Sequence, residues 1–232
     1  MQAFISELEK QYLHDLQVFY SPFFSTTQNM ENFIQHAFLY DLNNRKPRQM
    51  ILQVQRFVTL ANEINKLHPG RDGLRALFLK CCMESLGKLA DMEPNEFYAA
   101  FPPHFSLEGT QYILDNFSLL YIDYDEDNIY NNTLCNLTID DILFILKAAR
   151  DMVVHEGNYW DLQLFSHDET SAWLTHIKTQ KQLLTKKTYI NTTNKPITYH
   201  FETTLQYNKF EFYFVSACIS FINGYINNIP PK

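Results

Sequence analysis

The sequence predicts a mainly α-helical, up-and-down bundle with an N-terminal helical extension and a small β-hairpin. Over several long segments, apolar residues recur at intervals of three and four, which is typical of the buried face of an α-helix. Glycine (6) and proline (9) are scarce among the 232 residues, which argues against turn-dense all-β folds. Apolar residues make up 46% of the chain, enough for a well-buried core.

The first two core helices are predicted to form an antiparallel hairpin. Apolar residues from Met50 to Leu67 predict a helix that begins near Pro47 and ends at His68-Pro69-Gly70. A second helix is predicted from about 71 to 92. Because the connection is short, the two helices must lie antiparallel. The second helix is expected to bury Leu74, Leu77, Phe78, Cys81, Cys82, Ser85, Leu86 and Leu89.

Two further long helices complete the predicted core. One spans 139–155, with Thr138 as its N-cap and Asp141 three residues on, a capping-box arrangement with a shorter acid. The other spans 209–227 and is rich in aromatic residues. Shorter helices are predicted over 2–18, 30–42, 107–120 and 169–184.

The segment 187–203 is predicted to form the β-hairpin. Thr188–Ile190 and Ile197–Phe201 are rich in β-branched and aromatic residues, and they flank the turn-forming run Thr193-Asn194-Lys195-Pro196. The expected organisation is an N-terminal helical extension over 1–45 and a bundle over 46–229. Within the bundle, residues 93–137 form an insertion between the second and third core helices.

Charge and motif content exclude several classes of function. The net charge is -7, so a broad basic face for nucleic acid is not expected and any such role needs a local site. The histidines and four cysteines show no zinc-ligand spacing, and no glycine-rich nucleotide loop occurs, so no metal and no cofactor are expected. No signal peptide or membrane-spanning run is recognisable, and we expect a cytoplasmic protein with reduced thiols and no membrane association.

One constellation carries candidate chemistry at the C-terminal end of the third core helix. Arg150 and His155 are five residues apart, about 140° around an ideal α-helix. They converge only if the helix ends or tightens near Val154, and Gly157 is placed to permit this. Asp151 and His155 are four apart and share a helix face, so the carboxylate can orient the imidazole.

The string Ala148-Ala149-Arg150-Asp151-x-x-x-His155-Glu156-Gly157 resembles the signature of the HEPN superfamily. In that family an Arg, a polar residue directly after it and a His four to six residues downstream lie at a helix end. The resemblance implies a bundle of four or more helices, over 46–229, that usually dimerises. The insertion at 93–137 and the long segment between His155 and the last helix depart from the family pattern.

The resemblance implies a metal-independent endoribonuclease that acts as a homodimer on RNA. His155 would transfer a proton near neutral pH, and Arg150 would stabilise the charge that builds on the phosphate. Such proteins often serve as toxins or in defence, which would imply a neutralising protein partner. The residues expected to support the catalytic pair are Asp151, Glu84, Asn158 and Tyr159.

Two alternatives remain open from the sequence. A non-catalytic HEPN-like dimer would bind RNA, a nucleotide or a protein partner, and the charge of -7 favours this interpretation somewhat. A structural helical interaction protein would use the aromatic C-terminal helix as its interface.

Overall fold

The computed structural model describes residues 7–39, 45–123, 129–131, 137–157, 162–164, 173–179 and 197–228. It is mainly helical with a small antiparallel sheet, which confirms the predicted fold class. Among these residues, no helix is both long and apolar enough to cross a bilayer. The α-helices are α1 (Glu7–Tyr20), α2 (Thr27–Leu39), α3 (Lys46–Leu67), α4 (Asp72–Leu89), α5 (Pro94–Ala100), α6 (Leu107–Asp115), α7 (Ile139–Asp151) and α8 (Tyr207–Asn228), and the strands are β1 (Phe117–Asp123), β2 (Ile129–Asn131), β3 (Trp173–Thr179) and β4 (Ile197–Thr203).

The helix α4 lies at the centre of the bundle, in contact with α3 on one side and with α7 on the other. A helix with two packed sides has no single apolar stripe, so its burial differs from the prediction. Cys82 and Leu86 are fully buried as expected, but the other residues of the predicted stripe are only half-buried. The buried positions of α4 also include Asp72, Gly73, Ala76, Leu79, Lys80, Met83 and Gly87.

The apolar face predicted for α3 is largely buried, and so is one face of α8. Leu67 is the exception: it is 73% exposed, because α3 ends there and His68 caps it. Most aromatic side chains of α8 point into the core rather than forming an outer face, although Phe212 is exposed. The fully buried residues of the two helices include Met50, Ile51, Val54, Val58, Ala61, Phe214, Val215, Cys218 and Ile222.

The N-terminal helices share the core of the bundle. Leu16 and Tyr20 of α1 and Phe33 and Ile34 of α2 are buried in the same apolar cluster as α3 and α8. The hydroxyl of Tyr20 donates a hydrogen bond to the carbonyl of Ile51 at 2.9 Å, at a fully buried position. The predicted extension therefore packs tightly on the first core helix.

The N-terminus of α7 carries the reciprocal cap that the sequence predicts. The backbone N–H of Thr138 donates to Oδ2 of Asp141 at 2.8 Å, and the N–H of Asp141 donates back to Oγ1 of Thr138 at 3.4 Å. Asp141 is 3% exposed, and both the N–H and the hydroxyl of Thr138 donate hydrogen bonds to its buried carboxylate. The cap fixes where α7 begins.

The strands form one antiparallel sheet in the order β2-β1-β4-β3. Phe201 of β4 lies opposite Leu119 of β1 and Thr175 of β3. Alternate residues of β4, namely Tyr199, Phe201 and Thr203, are buried, as expected for a sheet with one covered face. The sheet contacts α6 through β1 and α7 through β3.

Two predicted helices are wrong in part, and both errors concern strands of this sheet. The helix predicted over 107–120 ends at Asp115, and Phe117–Asp123 is β1. The helix predicted over 169–184 is replaced over Trp173–Thr179 by β3. Both segments find their partner in β4, at long range in sequence, and such pairing overrides weak local helix preference.

The predicted strand near the end of the hairpin segment is confirmed as β4. Its two edges are occupied by β1 and β3. The other predicted strand, Thr188–Ile190, and the turn 193–196 lie outside the described residues. The sheet is thus larger than the predicted hairpin, because the insertion 93–137 supplies β1 and β2 as well as α5 and α6.

Close contact between α4 and α5 depends on Gly87. A Cβ atom at this position would meet Cγ of Phe97 at 2.9 Å, and both residues are buried. Glu93 begins α5 in a capping box with Glu96, whose carboxylate accepts from the N–H of Glu93 at 3.1 Å. The small residue and the cap together set the position of α5 on α4.

A cluster of polar side chains lies between α3, α4 and α8. Asn62 donates to Glu211 at 3.1 Å, and the guanidinium of Arg75 lies over the ring of Tyr207. Burial raises the pKa of Glu211 above its usual range, although the bond from Asn62 opposes this shift. Its Oε2 atom is buried and makes no hydrogen bond to any residue that the structure describes.

We expect Glu211→Gln to increase stability at neutral pH. Because the folded state raises the pKa of Glu211, the native state retains a proton that the unfolded chain releases above about pH 4.3. Stability contributed by this group therefore falls as the pH rises from that value through the raised folded pKa. Urea unfolding between about pH 4 and pH 8 should show that the free energy of unfolding falls less with rising pH in the variant than in the wild type.

The matched control for this experiment is Glu63→Gln, at an exposed position on α3 whose carboxylate pairs with the neighbouring Lys66. It should follow the pH dependence of the wild type. If the free energy of unfolding fell equally with pH in Glu211→Gln and in the wild type, Glu211 would not be the source of the pH dependence.

We expect Gly87→Ala to destabilise the protein by about 1–3 kcal/mol, because the new methyl group overlaps Phe97. This cost outweighs the gain of about 1 kcal/mol in helix propensity. Gly224→Ala is the control, since its Cβ would lie at an ordinary 3.4 Å from His104. Urea unfolding should show lower stability for Gly87→Ala and unchanged stability for Gly224→Ala. Adding Phe97→Leu to Gly87→Ala should restore part of the lost stability.

Candidate functional site

The C-terminal parts of α4 and α7 meet at an ion pair between Glu84 and Arg150. Nη2 of Arg150 lies 2.5 Å from Oε1 of Glu84. The Arg150 side chain is 23% exposed and the Glu84 side chain 43%, so the pair lies at the protein surface rather than in its interior. The structure therefore brings together two of the residues singled out from the sequence.

Arg150 also contacts its neighbour in the chain. Nη1 of Arg150 donates to Oδ1 of Asp151 at 2.7 Å. Two carboxylates thus hold the guanidinium from different helices and fix its orientation. A guanidinium has five N–H donors, and these bonds use two of them.

Lys80 extends this network into the protein. Its Nζ lies 3.0 Å from the same Oε1 atom of Glu84, and its side chain is only 1% exposed. The ammonium also lies 4.2 Å from the centre of the Tyr98 ring, which is a cation–π contact. We call Lys80, Glu84, Arg150 and Asp151 the α4–α7 charge cluster.

The ionisation of Lys80 and of Glu84 is coupled. Burial lowers the pKa of Lys80, while the hydrogen bond to Glu84 and its charge oppose that shift. Burial would raise the pKa of Glu84, but the hydrogen bond and charge of Lys80, together with Arg150, lower it below its usual range. Glu84 is therefore ionised at neutral pH and can hold both cations.

His155 lies in a π-helical segment, Met152–Glu156, that continues α7. The sequence left open whether the helix ends or tightens near Val154, and in the structure it widens there into a π-helix. A π-helix closes hydrogen bonds from i to i+5, so a side chain five positions along returns closer to the face from which it started. Gly157, with φ +64°, then ends the helix as expected.

His155 and the adjacent Val154 are both exposed. Within the described residues, the imidazole of His155 makes no hydrogen bond or ion pair, and the carboxylate of Asp151 contacts Arg150 rather than His155. The predicted orienting role of Asp151 assumed an α-helix through His155, and the π-helical segment removes that four-residue relationship. Asn158 and Tyr159 lie outside the described residues.

Lys80 and Tyr98 belong to this site but were not singled out from the sequence. Lys80 precedes Glu84 by four residues on one helix, a spacing typical of an ion pair. The four-residue spacing is visible in the sequence, but a lysine among apolar neighbours is usually interpreted as lying at the edge of a helix's buried face. Tyr98 could not be placed, because its contact with Lys80 depends on how α5 packs on α4, which spacing within either helix does not show.

Other catalytic groups near the cluster are few. Burial raises the pKa of the Cys81 thiol, so this cysteine is not an activated thiolate. Among the residues that the structure describes, no group of three or more His, Cys, Asp and Glu side chains could hold a metal ion. The chemistry available from the described part of the site is that of a guanidinium, an ammonium, two carboxylates and an exposed imidazole.

Comparison with known proteins adds no family. No family model matches the chain, and neither the curated proteins nor the solved structures contain a match. The resemblance of residues 148–157 to the HEPN signature stays a prediction from the sequence.

We expect Glu84→Gln to destabilise the protein more than Lys80→Met. The first change leaves the buried ammonium of Lys80 without a carboxylate, at a cost of about 1–3 kcal/mol. The second leaves Glu84 half-exposed and still paired with Arg150, at a cost below about 1 kcal/mol. Urea unfolding of both variants and of the double variant checks this order.

In the double variant the Lys80→Met change removes the unpaired ammonium, so its loss should be smaller than that of Glu84→Gln alone. Equal losses for the two single variants would mean that Lys80 does not depend on Glu84 for its charge.

Proposed function

We propose that the chain is a HEPN-like, metal-independent endoribonuclease that acts as a dimer. The observation that carries this proposal is Arg150, held by Glu84 and Asp151 at the surface end of α7, with an exposed His155 five residues further on. A fixed guanidinium and a solvent-accessible imidazole are the two groups that RNA cleavage through its own 2′-hydroxyl needs.

In the proposed reaction, the 2′-oxygen attacks the adjacent phosphorus and the bond to the 5′-oxygen breaks. His155 accepts the proton of the 2′-hydroxyl, and a protonated His155 of the second copy donates to the leaving 5′-oxygen. The products are a 2′,3′-cyclic phosphate and a 5′-hydroxyl end. Arg150 stabilises the extra negative charge on the five-coordinate phosphate through its uncommitted N–H donors.

Dimerisation supports this chemistry in an acidic protein. With a net charge of -7, one copy has little long-range attraction for RNA. Two copies that join at the end of α7 would place two guanidinium and two imidazole groups at one groove. Val154, 53% exposed beside His155, is an apolar side chain that such contact would cover.

The biological setting is proposed on the same resemblance. A nuclease of this kind acts as a toxin or in defence against foreign genetic elements, and its host requires a protein partner that neutralises it. We place the protein in the cytoplasm, where RNA and reduced thiols are both present.

A second candidate function is a non-catalytic dimer that binds RNA, a nucleotide or a protein partner. The pairing of Arg150 with two carboxylates favours it, because a phosphate must compete with Glu84 and Asp151 for the guanidinium. This candidate predicts binding of the same ligands with no cleavage.

We expect purified protein to cleave total RNA in the presence of EDTA. Arg150→Ala should lower the rate by about 10²–10³-fold, and His155→Ala by about 10²–10⁴-fold. Arg56→Ala and His14→Ala change exposed residues of the same types on α3 and α1 and should leave the rate unchanged. End-group analysis should find 2′,3′-cyclic phosphates.

Arg150→Lys and a thermal unfolding curve for every variant separate a lost cation from a lost fold. Cleavage that needs added Mg²⁺ would contradict the mechanism. RNA binding without cleavage in the wild type would replace the nuclease with the second candidate.

A further inference from the structure

A cavity of about 550 Å³ lies beside the α4–α7 charge cluster. It is formed by the end of α4, the turn into α5 and α5 itself, and its lining includes Glu84, Lys88, Met92, Glu93, Phe97 and Tyr98. Glu84 belongs both to this lining and to the ion pair with Arg150. The volume lies within the range of pockets that bind small ligands.

The carboxylates around the cavity do not make it a cation-binding site, because nearby side chains already balance most of their charge. Lys80 and Arg150 balance Glu84, and Lys46 pairs with Asp91 at the rim. The carboxylate of Glu93 takes part in the capping box of α5. Lys88 is exposed and has no ion-pair partner among the described residues, so the rim also offers a cation to an anionic ligand.

Tyr98 gives an independent sign of a ligand. Its side chain lines the cavity and is 7% exposed, and its buried hydroxyl makes no hydrogen bond within the described parts of the chain. A buried hydroxyl without a partner is costly, and native proteins normally satisfy such groups. A ligand with polar edges that reaches this hydroxyl would provide the partner.

We propose that this cavity is a nucleobase subsite of the RNA site, with a preference for guanine. The proposal rests on the proposed function in taking RNA as the substrate. A phosphate at Arg150 lies next to Glu84, so the base of the same or the adjoining nucleotide is within reach of the cavity. The apolar lining from Met92 and Phe97 suits the body of a base, and Lys88 suits a second phosphate.

Ionised carboxylates select among bases because they only accept hydrogen bonds. Guanine presents two parallel donors, N1–H and the exocyclic amine, which two carboxylate oxygens can accept. Uracil presents a single donor between two carbonyl oxygens, which a carboxylate repels. The oxygen of Glu84 that does not pair with Lys80 and Arg150, together with the Glu93 oxygen not used in the capping box, would therefore accept the two donors of guanine.

Calorimetric titration of the full chain with guanosine 3′-monophosphate and uridine 3′-monophosphate tests the proposal. We expect the guanosine nucleotide to bind at least tenfold more tightly. Glu93→Gln should weaken its binding by about tenfold, since the amide offers one acceptor where the carboxylate offers two. Glu96→Gln, on the same helix but outside the cavity, should bind like the wild type.

The site of binding is checked by methionine methyl NMR. The guanosine nucleotide should shift the methyl signal of Met92, which lines the cavity, and leave that of Met50, buried in α3, unchanged. Equal binding of the two nucleotides, no binding of either, or shifts that spare Met92 would overturn the subsite.

The subsite and the nuclease can fail separately, because a mononucleotide has no internucleotide bond to cleave. Selective binding of the guanosine nucleotide without RNA cleavage would overturn the nuclease and keep the subsite. RNA cleavage with no preference between the nucleotides would keep the nuclease and overturn the subsite.

Discussion

The pairing of the buried Lys80 ammonium with Glu84 is the constraint from which the rest of the site follows. A charge that is 1% exposed requires a carboxylate, and Glu84, one turn along α4, supplies it. The same oxygen then attracts Arg150 from α7. Because Glu84 must stay beside Lys80, the end of α7 is drawn to a defined point on α4, and Arg150 is oriented before any ligand arrives.

This arrangement reconciles an acidic chain with a proposed anionic substrate. The charge of -7 is spread over the whole protein, whereas the cluster holds two cations against two carboxylates at one place. Lys147, which lies 5.8 Å from the centre of the Tyr98 ring, adds a third cation nearby. With Lys147 this group carries one net positive charge, so recognition would depend on short-range contacts more than on long-range attraction.

The sequence predicts those parts of the fold that local pattern governs. The bounds of α3 and α8 and the cap of α7 follow from apolar spacing and from Thr138 and Asp141, since these are properties of neighbouring residues. The strands β1 and β3 were missed because their partner is far away in the chain.

The candidate site divides in the same way. Arg150 and Glu84 were singled out, and the structure joins them, whereas Lys80 was overlooked and the role assigned to Asp151 depended on an α-helix that becomes a π-helix. Spacing identifies residues that share a helix face, but it does not reveal a change of helix type. It also cannot show which side chains from other helices complete a cluster.

The position of β4 in the sheet has a consequence for the order of folding. This strand joins β1 to β3, yet it is the last of the four in chain order and so the last to be synthesised. A nascent chain that has not passed residue 203 holds β1 and β3 without the strand between them. Closing this distant contact carries a loop entropy cost, so the sheet forms late. The sheet packs on α7 through β3, and α7 therefore gains this support only after β4 has been synthesised.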